Sequence, residues 1–364
     1  MVSHPRLKIR DLRVRPVNVP MRLPLQTSGG TVGIAPLALI DLLTEEGVTG
    51  STYLFCYTPL ALRPVVQVIE NLTPFLTGNP VVPFEIDRKL QRQFRLLGAK
   101  GIVGMALAGI DMAAWDALAN AAGMPLASLL GGAPRGVPAY NSNGLGIIGP
   151  ERAYEEAEKL ADGFAAIKVR LGYADAMADV EVVRAVRRAI GEDVRLMSDY
   201  NQSLSVPEAI TRIQVLAGEG LDWVEEPTLA DDFAGHAQIR ARSKIPIQMG
   251  ENWWGPHEMA KCVAAGGSDL AMPDAMKIGG VTGWLRAAAI AESAGLPVSS
   301  HLFPEVSAHL LAVSPTCQWL EYVDWANPIL KEPLRIEKGQ AVIPDVPGTG
   351  IAWNEKAVKR YLSA

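Results

Sequence analysis

Nine polar residues carry the chemistry this sequence can do: Lys168, Arg170, Asp199, Asn201, Glu225, Glu251, Asp274, His301 and Glu321. All of them fall at the ends of short apolar runs. Asp199, Glu225 and Glu251 close three consecutive runs, so a fold that aligns those runs brings three carboxylates to one point. Three like charges a few ångströms apart repel unless a cation neutralises them. All-oxygen ligation selects a hard divalent ion, Mg²⁺ first and Mn²⁺ as a substitute. Asp274 and His301 end the next two runs. A carboxylate accepting from the imidazole Nδ1–H fixes the tautomer, raises the ring's pKa and leaves Nε2 free as a base. Lys168 and Arg170 stand two apart on one strand and face the same side. They are expected to form a cationic patch for a substrate carboxylate, with the lysine's pKa depressed by its neighbour. The chemistry implied is removal of a proton α to a metal-chelated carboxylate, with the enediolate stabilised electrostatically. Glu321, kept protonated by its acidic neighbours, would donate a hydrogen bond to that carboxylate.

The elements that must position these groups follow from the pattern around them. The apolar runs lie at 137–142, 165–170, 194–199, 222–225, 245–251, 269–274, 297–301 and 318–321, and their polar ends recur every 20–29 residues. That spacing is one β-loop-α-loop unit, and eight of them predict a closed parallel barrel whose strand C-termini share one face. An open doubly wound sheet seldom keeps eight units so regular. Before the barrel, residues 7–43 alternate as strands do, around a Gly-rich stretch at 25–33 that reads as a flexible loop. Val103, Leu107, Ile110, Ala114 and Leu118 then recur at helical spacing. The predicted architecture is α/β: a TIM-type (β/α)7β barrel at 134–322, an α+β capping domain at 1–133, and a C-terminal segment, 323–364, that returns to the cap.

Composition narrows the class. The chain has 364 residues and a formal charge of −5, with no Lys/Arg run, which argues against a nucleic-acid partner. No stretch is expected to approach the 18–20 apolar residues of a membrane span. Cys56, Cys262 and Cys317 are scattered and never form a CxxC pair, fitting a reducing cytoplasm and excluding a cysteine-based metal site.

The residues then carry a resemblance. Asp199-Tyr200-Asn201-Gln202, Glu225-Glu226-Pro227-Thr228, Gly250-Glu251-Asn252-Trp253, Pro273-Asp274-Ala275-Met276-Lys277-Ile278-Gly279-Gly280, Ser300-His301-Leu302-Phe303 and Trp319-Leu320-Glu321 resemble the mandelate racemase subgroup of the enolase superfamily. The likeness runs nearly the whole chain. It implies Asp199, Glu225 and Glu251 as Mg²⁺ ligands and His301 with Asp274 as the base on the R face. It implies Lys168 and Ser142 on the substrate carboxylate, Asn201 on the α-hydroxyl and Glu321 on the developing enediolate. Leu25, Thr27, Gly29, Val32 and Tyr57 would line the pocket for the substrate's tail, and the assembly would be a homo-oligomer, an octamer in this subgroup.

One departure matters. The racemase pattern has Lys-x-Lys where this chain reads Lys168-Val169-Arg170, and the second lysine is the S-face base. Reference pKa values of ~13.8 and ~10.4 make neutral arginine about 4–5 kcal/mol less accessible than neutral lysine. The leading expectation is a Mg²⁺-dependent racemase or epimerase of 2-hydroxycarboxylates, with Arg170 opposite His301. The alternative is an acid-sugar dehydratase with His301 as sole base, and a third reading is a silent scaffold that binds metal and ligand without turnover. Gly29, together with Arg22 and Gln26, is expected to widen the pocket and admit a polar tail. Gly144-x-Gly146-x-x-Gly149 spells a dinucleotide fingerprint but opens an eight-unit repeat, so it is read as chance. His236 and His257 are expected at the surface, and His309 as a packing residue. Glu226 is expected to turn away from the ligand face, and Trp253-Trp254 to form a wall.

Overall fold

The computed structural model describes residues 7–363. Strands β1 (Ile9–Thr27), β2 (Gly30–Thr44) and β3 (Thr49–Phe55) form an antiparallel meander in that order. The stretch at 25–33 is a hairpin end rather than an open loop: Leu25 pairs with Val32 and Thr27 with Gly30. Ser28-Gly29 make the turn, and strand pairing on both sides removes the freedom that three glycines suggest.

Helix Pro83–Gln93 packs against the helix Gly101–Ala122, while two long helices pack on the sheet itself, Pro59–Leu76 and Gly101–Ala122. The last is apolar all round, as a helix buried on every side must be. Its close approach depends on missing side chains. A Cβ at Gly50 would lie 2.0 Å from the Ala113 carbonyl, and one at Gly109 would lie 2.4 Å from Ile40 Cδ1. Contrary to expectation, this one helix is long and apolar enough to cross a membrane, yet most of it is buried inside the fold. Its two acids explain how: Asp111 accepts from Thr282 of a barrel helix, and Asp116 from Ser51 and Thr349.

The barrel strands are β4 (Gly136–Asn141), β5 (Ala166–Arg170), β6 (Arg195–Asp199), β7 (Leu221–Glu225), β8 (Ile247–Met249), β9 (Leu270–Ala271) and β10 (Leu320–Tyr322). They run parallel, and β10 pairs with β4 to close the ring. The seventh predicted strand occupies its place but makes only single bridges, Ala271 to Val298, Val298 to Cys317 and Asp274 to His301. Pro273 and Pro297 interrupt the ladder there, because proline has no N–H to donate. The hairpin of β11 (Arg335–Glu337) and β12 (Gln340–Val342) pairs with the first residues of β4, which neither β5 nor β10 reaches. The chain then returns to the cap: Leu126 N–H donates to Gly348 O, Trp353 Nε1–H donates to Asp41 at 2.7 Å, and Leu362 bridges Val17.

His309 joins cap to barrel. It lies buried on helix Pro304–Ala312, and its Nδ1 accepts from the Ala127 N–H at 3.1 Å. Burial pushes its pKa down from 6.5 to about 4, so the folded protein holds it neutral. An unfolded chain takes up that proton earlier. The contribution is therefore complete above pH 6.5 and is lost as pH falls from 6.5 towards 4, on the order of 2–3 kcal/mol. Thermal melts across that window are expected to show the decline in wild type and a shallower one in His309→Gln. Identical slopes would refute the assignment. His236, by contrast, is not a surface residue. It is buried on the inner face of helix Phe233–Arg240 beside Ile239, and burial lowers its pKa. His257 is exposed.

Candidate active site

Lys168 and Arg170 end β5, Asp199 ends β6 and Glu225 ends β7, with Arg170 in register with Asp199 and Asp199 with Glu225. Glu251 follows β8 directly. Gly250 precedes it at φ +138°, where a Cβ would lie 2.8 Å from the Met272 backbone, so only glycine lets this strand end pass its neighbour. The ligand oxygens of Asp199, Glu225 and Glu251 lie within 4.8 Å of one another, and all three residues are buried. Three buried carboxylates this close are a fitting donor set for a hard divalent cation.

Lys168 Nζ reaches into the cluster, 2.8 Å from Glu225, 2.8 Å from Glu321 and 3.3 Å from Asp199. Asn201, in the left-handed region at φ +46°, donates its backbone N–H and side-chain Nδ2–H to the two Asp199 oxygens. Its own Oδ1 is buried without a partner. On the other side His301 Nδ1 stands 2.6 Å from Asp274 Oδ2. Asp274 Oδ1 accepts from the Met276 and Lys277 N–H groups, which leaves Oδ2 for the imidazole. The Nε2 atom then faces Glu251 at 3.3 Å and Glu321 at 3.9 Å.

A cavity of about 540 Å³ opens over these groups. Lys168, Arg170, Asp199, Asn201, His301 and Glu321 lie on its floor. Leu25, Thr27, Val32 and Tyr57 line its upper wall together with Phe55, Ile102, Met105 and Trp325. A larger cavity, about 750 Å³, lies between cap helices and barrel helices, away from the carboxylate cluster.

The N-terminal part of the chain, residues 9–131, matches the mandelate racemase/muconate lactonizing enzyme N-terminal domain, and residues 152–357 match the enolase C-terminal domain-like family. The chain belongs to the mandelate racemase/muconate lactonizing enzyme family. It is similar to D-galactarolactone cycloisomerase of Agrobacterium fabrum, at 31% identity over 98% of this chain and 99% of that one. It is also similar to L-talarate/galactarate dehydratase of Salmonella typhimurium, at 33% identity over 76% of this chain and 70% of that one. Among solved structures, an enolase from Bradyrhizobium complexed with magnesium and mandelic acid superimposes with a TM-score of 0.95, at 45% identity over the full length of both chains. This protein is an enolase-superfamily enzyme and its cofactor is Mg²⁺.

Within this family member the electrostatics depart from the sequence reading at two residues. Burial works against the charge of Lys168, yet Glu225 and Glu321 hold its pKa well above the ordinary value. The expected depression fails because Arg170 belongs to a different set of contacts. Its guanidinium donates to Gly144 O at 2.9 Å and to Ser142 O and Oγ at 3.2 Å, and its Nε is buried without a partner. Glu321 is not kept protonated. Burial alone would raise its pKa, but Lys168, His301 and the Leu302 N–H hold it well below the usual carboxylate range. His301 does shift upward, to about 8: burial opposes the charge, and the neighbouring Glu251, Glu321 and Asp274 carboxylates together outweigh it.

Other readings sort by position. Gly29 sits exposed at the hairpin tip and Ser142 lies under Arg170, so neither is on the cavity wall. Arg22 pairs with Asp324 at 3.0 Å outside the cavity, and Gln26 presents its backbone carbonyl to Ile147 N–H, so neither makes a polar wall. Glu226 accepts from Asn252 at 2.7 Å, and burial beside Glu251 pushes its pKa up to about 8. Trp253 is buried, whereas Trp254 lines the cavity. The segment at 144–149 braces Arg170 and the hairpin, through the Gly144 carbonyl and the Ile147 N–H. Phe55, Ile102, Met105 and Trp325 went unread because apolar residues on cap elements carry no chemical signature. The adjoining Tyr57-Thr58-Pro59 was the one usable signal.

Proposed function

We propose that this enzyme abstracts the α-proton of a 2-hydroxycarboxylate with an aromatic or apolar tail, and turns it over as a racemase. The observation that carries the reading is His301 Nε2 opening, at the floor, onto a cavity whose upper wall is mostly apolar, built from Leu25, Val32, Phe55, Ile102, Met105 and Trp325. Asp199, Glu225 and Glu251 would hold Mg²⁺, whose charge makes the α-proton of a carboxylate substrate more acidic. The unpartnered Asn201 Oδ1 is a ready acceptor for the α-hydroxyl. Lys168 supplies a fixed cation beside the carboxylate, and Glu321 stands within reach of both Lys168 and His301. Asp274 orients the imidazole so that Nε2 takes the proton on the R face.

The wall supports a mandelate-like substrate over a sugar acid. The hydroxyls of a sugar acid need polar partners, and the cap supplies few, Thr27, Tyr57 and Thr58, beside the apolar Leu25, Val32, Phe55, Ala61, Ile102 and Met105. The acid-sugar dehydratase remains the second reading, favoured by one observation: the guanidinium of Arg170 is engaged as a donor to three oxygen acceptors, which suits a single-base reaction. The test is incubation of the Mg²⁺-loaded enzyme with each mandelate enantiomer and with galactarate in D₂O. Exchange of the α-proton of (R)-mandelate is expected, with slower inversion. Formation of a 2-keto-3-deoxy acid from galactarate, without exchange into mandelate, would overturn the racemase reading in favour of the lyase.

A further inference from the structure

Lys277 lies outside every role assigned above, yet it touches all three parts of the site. It is buried, and its backbone N–H donates to Asp274 Oδ1 at 2.9 Å, which ties its position to the His301 dyad. Its ammonium donates to Asn252 Oδ1 at 2.6 Å. An ammonium has only donors, so it fixes which end of that amide is oxygen and which is NH₂. The NH₂ end then faces Glu226 Oε2 at 2.7 Å and Glu251 Oε1 at 3.1 Å. Glu251 thereby has one oxygen engaged, while its Oε2 faces His301. The same ammonium lies 4.4 Å from the centre of the Tyr57 ring, which the cap contributes, and 6.0 Å from that of Trp254.

We propose that Lys277 is a positioning residue that, through Asn252, sets the Glu251 carboxylate for the metal and links that setting to the cap through Tyr57. The inference rests on the reading that Asp199, Glu225 and Glu251 hold Mg²⁺. Partners of ligating carboxylates characteristically change metal affinity by about 10–100-fold when removed. With the chain of contacts running Lys277 to Asn252 to Glu251, removing either of the first two should release the same carboxylate.

Mg²⁺ affinity is measured by calorimetry without substrate, on Lys277→Met, Asn252→Ala and the double variant, each checked for folding by thermal melt. Each single change is expected to weaken Mg²⁺ by about tenfold or more, and the double variant by no more than the weaker single. In α-proton exchange, the Mg²⁺ concentration giving half-maximal rate should rise while the rate at saturating Mg²⁺ falls much less. Unchanged affinity in Asn252→Ala, or additive losses in the double variant, would overturn the relay. Glu251→Gln separates the two ideas: if it too leaves Mg²⁺ affinity unchanged, the assignment of the metal ligands has failed, whereas its loss beside an unaltered Lys277→Met refutes the relay alone.

Discussion

His301→Asn is expected to slow α-proton exchange of the R substrate by about 10²–10⁴-fold, the range that a positioned general base contributes. Asparagine can still donate to Asp274, now 2.6 Å from His301 Nδ1, but it offers no basic nitrogen to the cavity. The three acids that would hold Mg²⁺ stand on other strands, so calorimetry should find metal affinity changed little. Loss of exchange with metal binding kept places the defect in proton transfer. A variant that exchanges at the wild-type rate would remove His301 from the mechanism, and with it the role assigned to Asp274.

Arg170→Lys is the change expected to increase activity. The buried guanidinium donates to the Gly144 carbonyl, the Ser142 carbonyl and the Ser142 hydroxyl. A lysine here loses its proton more readily by roughly three pKa units, so exchange of the S substrate should rise by up to about 10³-fold. Exchange of the R substrate, which depends on His301, should move far less. The readout is the S-to-R ratio of exchange rates in D₂O. An unchanged ratio would mean that Arg170 never limits the S face, and the single-base lyase reading would gain accordingly. A fall in both rates together would assign Arg170 to holding the substrate's carboxylate rather than to moving its proton.

These two residues also mark the boundary of what the chain discloses before folding. The strand-end acids, the His301 and Asp274 pair and the barrel itself were legible in the sequence. Side-chain direction alternates along a strand and the β-loop-α unit repeats at a near-constant length, so local patterns are enough to align strand ends. Lys168 and Arg170 were placed correctly on one face of β5 by that same rule, yet their surroundings were misjudged. Strand alternation says which way a side chain leaves the backbone, but not which distant groups it meets. Lys168 meets Glu225 and Glu321, from strands 57 and 153 residues away in the chain, while Arg170 turns to the end of β4.

The same limit explains the substrate wall and the thinned seventh strand. Phe55 comes from β3, Ile102 and Met105 from the helix Gly101–Ala122 and Trp325 from the segment after β10, and they converge only when the cap docks on the barrel. Their spacing in the sequence reflects packing within their own helix or strand, not the shape they make together. By itself, then, the amino-acid order determined the barrel and the strand-end positions of the three clustered acids and of the His301–Asp274 pair, because both rest on periodicities between chain neighbours. Tertiary structure alone decided which charges offset which, how Arg170 is held and which side chains line the cavity. Those depend on distances between segments far apart in the chain, and Coulomb and contact forces act on distance alone.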